Sequence, residues 1–154
     1  MLEQIGLGTL LVVVTTSVHA ICTGIVLAVL RDVRAKLMAA HSRVVALSVI
    51  ATIVVLLFLA AIFESSLWAM TYLYLGALGS FEEALYFSNV TFSTLGYGDL
   101  TLGVQWRLLS SIQAAIGTIL FGWSTALVFA VVQWMLESDQ VRRSQETIGE
   151  VESA

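Results

Sequence analysis

An all-α membrane protein, with three transmembrane helices and a shorter re-entrant helix and loop between the last two, is the fold class this sequence predicts. Three observations predict it. The 154 residues are 58% hydrophobic and only 12% charged, where a soluble domain carries roughly a quarter charged side chains, and the mean hydropathy is +0.93. The charge is also segregated: residues 4–30, 44–63 and 108–136 contain no Asp, Glu, Lys or Arg, leaving stretches of 27, 20 and 29 residues. A helix needs about 20 apolar residues to cross the hydrocarbon core. Finally, the segment from Ser80 to Gly103 is too short to cross and too apolar for a plain water-exposed loop.

The first stretch predicts a crossing near Ile5–Leu30. A signal peptide competes for any apolar N-terminal segment, but "MLEQIGLG" has no Lys or Arg and the stretch exceeds the usual apolar region of about 7–15 residues, so a retained helix is expected. Arg31, Arg34, Lys36 and Arg43 follow it, Arg142 and Arg143 follow the last stretch, and Arg107 is the remaining basic residue. Short basic loops stay cytoplasmic. That puts the N-terminus outside, loop 31–43 inside, residues 65–107 outside and the tail inside a plasma (inner) membrane, with the basic loop able to meet anionic membrane lipids. The second crossing is expected near Val44–Phe63, continuing to Trp68 and Tyr72 at the outer headgroups. The third, Leu108–Leu136, would extend about 43 Å as a helix and should tilt or project. The chain thus divides into 1–43, an added helix and basic loop; 44–136, a two-helix module; and 137–154, a short polar tail that is either a helix or solvated.

Between the second and third crossings, Ser80-Phe81-Glu82-Glu83 has the form of a capping box, with Ser80 bonding the N–H of Glu83 and Glu83 answering the N–H of Ser80. It predicts a helix over Phe81–Phe92, about 18 Å long or roughly half the hydrocarbon thickness. Phe81, Ala84, Leu85, Phe87 and Val90 suit its packing. Thr94-Leu95-Gly96-Tyr97-Gly98-Asp99 follows without helical or strand periodicity. Irregular backbone at membrane depth is tolerated only where protein buries it or it lines an aqueous lumen, and one such segment needs partner copies to complete a lumen.

Thr91-Phe92-Ser93-Thr94-Leu95-Gly96-Tyr97-Gly98-Asp99 resembles the T-x-x-T-x-G-Y-G-D signature of the potassium channel superfamily. The likeness extends over about Val44–Leu136, and the layout is similar to a small bacterial pore module with one additional N-terminal helix and no voltage sensor. The resemblance implies a homotetramer around a central pore and passive potassium flux, with potassium ions as permeant ligands, no cofactor and no enzymatic reaction. Backbone carbonyls of Thr94, Leu95, Gly96 and Tyr97, with the Thr94 hydroxyl at the inner end, would replace the ion's hydration shell as successive oxygen rings. Gly96 and Gly98 would supply backbone conformations closed to residues with a Cβ. Thr91 is a candidate partner for the Tyr97 hydroxyl, and Asp99 would sit at the outer mouth. Leu95 stands where valine is more familiar, and Val90 where some members carry a carboxylate behind the filter, so a carboxyl pair with Asp99 is not expected. A weakly selective monovalent cation channel is the alternative, because filter sequence does not fully determine filter geometry.

Gly117 and Gly122 in the third crossing suit either a bend or close helix packing. Ser124 and Thr125 would wet the cavity or bond their own helix. Glu64 follows 20 uncharged residues and reads as a tether to the short helix or to a neighbouring subunit, an interfacial carboxylate, or an ion ligand. His19 reads as a polar residue packed between helices and His41 as solvated. A nucleic-acid interface has no basic face to occupy. Enzyme chemistry has no nucleophile or metal-ligand spacing among Asp99, His19 and His41, and the single Cys22 can build neither an internal disulfide nor a cysteine metal site. No soluble regulatory domain is identifiable.

Overall fold

In the computed structural model, which describes residues 2–39 and 43–152 and gives the backbone alone for 33–39, 43, 139, 142, 143 and 145–152, each apolar stretch becomes a helix longer than the stretch itself. The helices are α1 (Leu2–Ala39), α2 (Arg43–Tyr74), α3 (Phe81–Phe92) and α4 (Arg107–Glu152), with a 3-10 turn at Val104–Trp106 leading into α4. Three spans are long and apolar enough to cross a membrane: Leu2–Asp32 in α1, Val44–Tyr74 in α2, and Val104–Ser138, which takes in the 3-10 turn and most of α4.

The basic segment after the first crossing is therefore not an extended loop. Helix α1 runs through Arg31, Arg34 and Lys36 to Ala39, and Arg43 already opens α2. The reason is local: "RDVRAKLMA" is rich in good helix formers and has neither Gly nor Pro to stop it. His41 lies outside the described residues, as do the side chains of Arg34, Lys36, Arg43, Arg142 and Arg143. The polar tail continues α4 as helix to Glu152.

Helix α2 ends in a Schellman motif. Gly76 has φ 61°, its N–H donates to Leu73 O at 3.0 Å, and the Ala77 N–H donates to Tyr72 O at 2.9 Å. Glycine meets the left-handed position without a Cβ penalty. A short turn then reaches Ser80, whose extended backbone and side chain cap α3 by accepting from the Glu83 N–H at 3.2 Å. The reciprocal bond goes one residue further back than the sequence suggests. Glu83 Oε2 accepts from the Gly79 N–H at 3.2 Å rather than from Ser80, since the exposed carboxylate can reach either free donor before the helix.

Two apolar clusters hold the helices together. One joins Leu11 of α1, Trp68 and Tyr72 of α2, Phe87 and Phe92 of α3, and Leu109, Ile116 and Leu120 of α4. The second, further along α4, joins Val26 of α1, Ile53 and Leu57 of α2, and Leu127 and Val131 of α4. Trp68 and Tyr72 are fully buried, because α3 folds back over the end of α2 and covers them. On α3 the buried residues are Ala84, Phe87, Ser88 and Phe92, while Phe81 remains 47% exposed. Large apolar side chains such as Leu10, Ile21, Leu47, Phe58, Ile119 and Phe129 face outwards, as expected of surfaces that meet lipid or another copy.

Candidate functional site

The short helix α3 exists to end where it does. Ser93 caps it in a right-handed conformation. Thr94 follows with φ 59°, the one non-glycine residue with positive φ among those described. The Thr94 N–H donates to Thr91 O at 2.9 Å and the Leu95 N–H to Val90 O at 3.0 Å, the same two-bond Schellman closure that ends α2. Here the left-handed position holds a β-branched residue, which costs on the order of 1–2 kcal/mol.

Beyond Thr94 the left-handed backbone recurs at every second residue, with φ 54° at Gly96 and 79° at Gly98, while Leu95 and Tyr97 between them stay on the ordinary side. The Gly96 N–H also reaches Val90 O at 3.3 Å. In a strand, successive peptide groups point to opposite sides. Alternation between left- and right-handed backbone instead turns successive peptide groups alike, so that a run of carbonyls can share one side. Residues 93–99 are all exposed in the single chain, with Leu95 55% and Tyr97 65% exposed. A cleft of about 400 Å³ opens beside the segment, lined by Phe87, Thr91, Gly96 and Gly98 among others. No hydrogen bond joins Thr91 to Tyr97 among the described residues of one chain, in which Tyr97 is largely exposed.

Asp99 closes the segment. The Tyr86 hydroxyl donates to its Oδ2 at 2.6 Å, and the Leu100 N–H donates to its Oδ1 at 3.0 Å. The Tyr86 hydroxyl chiefly, and then the backbone N–H groups, hold the Asp99 carboxyl below the usual carboxylate range. Tyr86 itself is held above its ordinary value, first by that bond. The sequence reading missed Tyr86. The signal was its place one helical turn before Val90 on the same face, where a polar group can replace the carboxylate that Val90 does not provide.

Behind the segment lies a buried polar relay that was also not foreseen. Tyr72 OH donates to Gln113 Oε1 at 2.8 Å; Gln113 Nε2 donates to Ser88 Oγ at 2.6 Å and Ser88 O at 3.2 Å; Ser88 Oγ donates to Ser65 O at 2.5 Å. Ser65 Oγ also donates to Asn89 Oδ1 at 2.5 Å. These bonds fix α3 to α2 and α4 in the dry interior, where leaving such groups unpaired would cost far more than the bonds contribute. Gly117 sits under the end of α3: a Cβ there would overlap the Phe92 carbonyl oxygen, whereas one at Gly122 would meet nothing within 4 Å. Helix α4 is unbroken at both glycines.

Glu64 is fully buried, and its Oε1 accepts from His19 Nδ1 of α1 at 2.9 Å. It is thus bonded to the first helix instead of to α3, because α1 packs against the middle of α2 and brings His19 to its level. Ser124 Oγ reaches His19 Nε2 at 3.3 Å, while Thr125 Oγ1 bonds its own helix at Phe121 O. No group of three or more His, Cys, Asp or Glu side chains that could hold a metal occurs among the described residues.

A family model described as "Ion channel" matches residues 44–133, more than half of the chain. The chain belongs to this ion channel family. The match opens one residue into α2 and ends within α4, so it takes in the short helix, the irregular segment and both helices that flank them. Helix α1 is an addition placed before the channel module. Comparisons with curated proteins and with solved structures gave no match.

Proposed function

We propose that four copies of this channel surround a central pore and pass potassium selectively. The observation that carries the reading is the left-handed backbone at Thr94, Gly96 and Gly98, set in the T-L-G-Y-G-D sequence at the end of a capped half-membrane helix. Four such segments around one axis would present rings of carbonyl oxygens from Thr94, Leu95, Gly96 and Tyr97, with the Thr94 hydroxyl at the inner end. An ion would exchange water for these oxygens and move on as the next ion enters. Asp99, kept ionised by Tyr86, would attract cations at the mouth. The exposure of residues 93–99 in a single chain supports an assembly that covers them from the neighbouring copies. The N-terminus would be outside and the α4 tail cytoplasmic, in the plasma (inner) membrane, with lipid on the outward apolar faces. Such a pore carries out no reaction and needs no cofactor.

Purified full-length protein reconstituted in planar bilayers, with potassium on one side and sodium on the other, tests this. The expected reversal potential lies close to that of potassium. A reversal potential near zero with robust currents would leave a weakly selective monovalent cation channel, and vesicles without cation flux would end the proposal.

A further inference from the structure

Helix α4 is held by different parts of the chain on either side of Gly122. Before it, Leu109, Ile116 and Leu120 pack in the cluster around α3, Gln113 is bonded to Tyr72 and Ser88, and Gly117 abuts Phe92. After it, Leu127 and Val131 pack with Val26 of α1 and with Ile53 and Leu57 of α2. Gly122 itself lies in open space, between a portion of α4 packed against α3 and the end of α2 together with Leu11 of α1, and a portion packed against α1 and α2 without α3.

His19 stands at this junction. It is 1% exposed, with Nδ1 2.9 Å from Glu64 Oε1 on α2 and Nε2 3.3 Å from Ser124 Oγ on α4. Its ring meets Trp123 edge to face at a centroid distance of 5.5 Å. One ring nitrogen thus faces α2 and the other faces α4, so the imidazole of α1 bridges both. Buried ionisable pairs are poor stabilisers compared with apolar packing, and Glu64 Oε2 is buried without any partner. The pair therefore sits at a cost that packing alone does not justify.

We infer that His19 is a positioning residue through which the added helix α1 sets the placement of α4 beyond Gly122, and thereby the fraction of time the pore is open. The inference rests on the channel reading above. Glu64 anchors the imidazole to the α2 scaffold, and Ser124 is the contact that is made or released.

Single-channel open probability of full-length protein in potassium-containing bilayers tests it with three variants. Ser124→Ala removes the hydroxyl and leaves the buried pair intact. His19→Asn retains an amide nitrogen for Glu64 but no longer spans to Ser124. Each is expected to change open probability in the same direction by about two- to tenfold, the worth of one hydrogen bond, and the double variant should go no further than either single one. Reversal potentials should stay at the wild-type value. Unchanged open probability in Ser124→Ala with potassium currents intact overturns the inference while the channel reading stands. Independent, multiplying effects also overturn it, as does lost potassium preference in His19→Asn, which would make His19 a filter support. A wild type that passes no potassium overturns the channel reading and this inference with it.

Discussion

Thr94 and Gly76 occupy the same place in the same helix-ending motif, with φ 59° and 61°. Glycine is the residue that position favours, so keeping a threonine there points to a use for its side chain. Thr94→Ala keeps the strained backbone and the carbonyl while removing the hydroxyl; calorimetric titration should show potassium affinity lower by roughly three- to tenfold, and Thr94→Ser should restore most of it. Tyr86 makes a second prediction at this scale. Its hydroxyl holds the Asp99 carboxyl low, so the bond's contribution is present above the ordinary carboxylate value and is lost as pH falls through the lowered one. In Tyr86→Phe the carboxyl returns towards its ordinary value and takes up a proton at higher pH. Acidifying the Asp99 side should then reduce potassium current at a higher pH than in the wild type. The irregular segment after α3 was legible because Thr94 to Asp99 form one short uninterrupted run in the chain. Tyr86 was not, since it lies 13 residues from Asp99 and only folding brings them together.

At the scale of elements, the limits Phe81–Phe92 of α3 could be read from Ser80 and the following carboxylates, because capping is a local interaction between neighbouring residues. The position of α3 against α2 and α4 could not, since the relay through Tyr72, Gln113, Ser88 and Ser65 spans separations of 23 to 41 residues. The two glycines of α4 look alike in sequence and differ in surroundings. Gly117→Ala must push Phe92, at the end of α3, away from α4 and should destabilise the folded chain by about 1–3 kcal/mol. Gly122→Ala adds a methyl to open space and should be neutral or stabilise by up to about 1 kcal/mol through helix propensity. Thermal unfolding in detergent, followed by helical circular dichroism, separates them: the midpoint falls for Gly117→Ala and holds or rises for Gly122→Ala.

For the molecule as a whole, charge-free stretches announced the three crossings because the bilayer imposes a length that composition alone reveals. How α1 docks was hidden, as the contact between His19 and Glu64 joins residues 45 apart. The reach of α1 past the basic residues was hidden too, because charge was taken to mark the end of a helix when it marks only the end of an apolar one. Native mass measurement of the purified protein should give four times the 16.7 kDa chain. A monomer or dimer that still conducts would contradict a pore shared by four segments.

Helix α4 has 46 residues, and its unbroken run from Gly122 to Glu152 makes it a lever arm. At 1.5 Å per residue that arm is about 45 Å long, so a rotation of roughly 10° at Gly122 would sweep its far end through about 8 Å. The leverage also runs backwards: a modest force on the polar end, from a neighbouring copy or a lipid surface, arrives at Ser124 and His19 multiplied by the ratio of the two distances from the pivot.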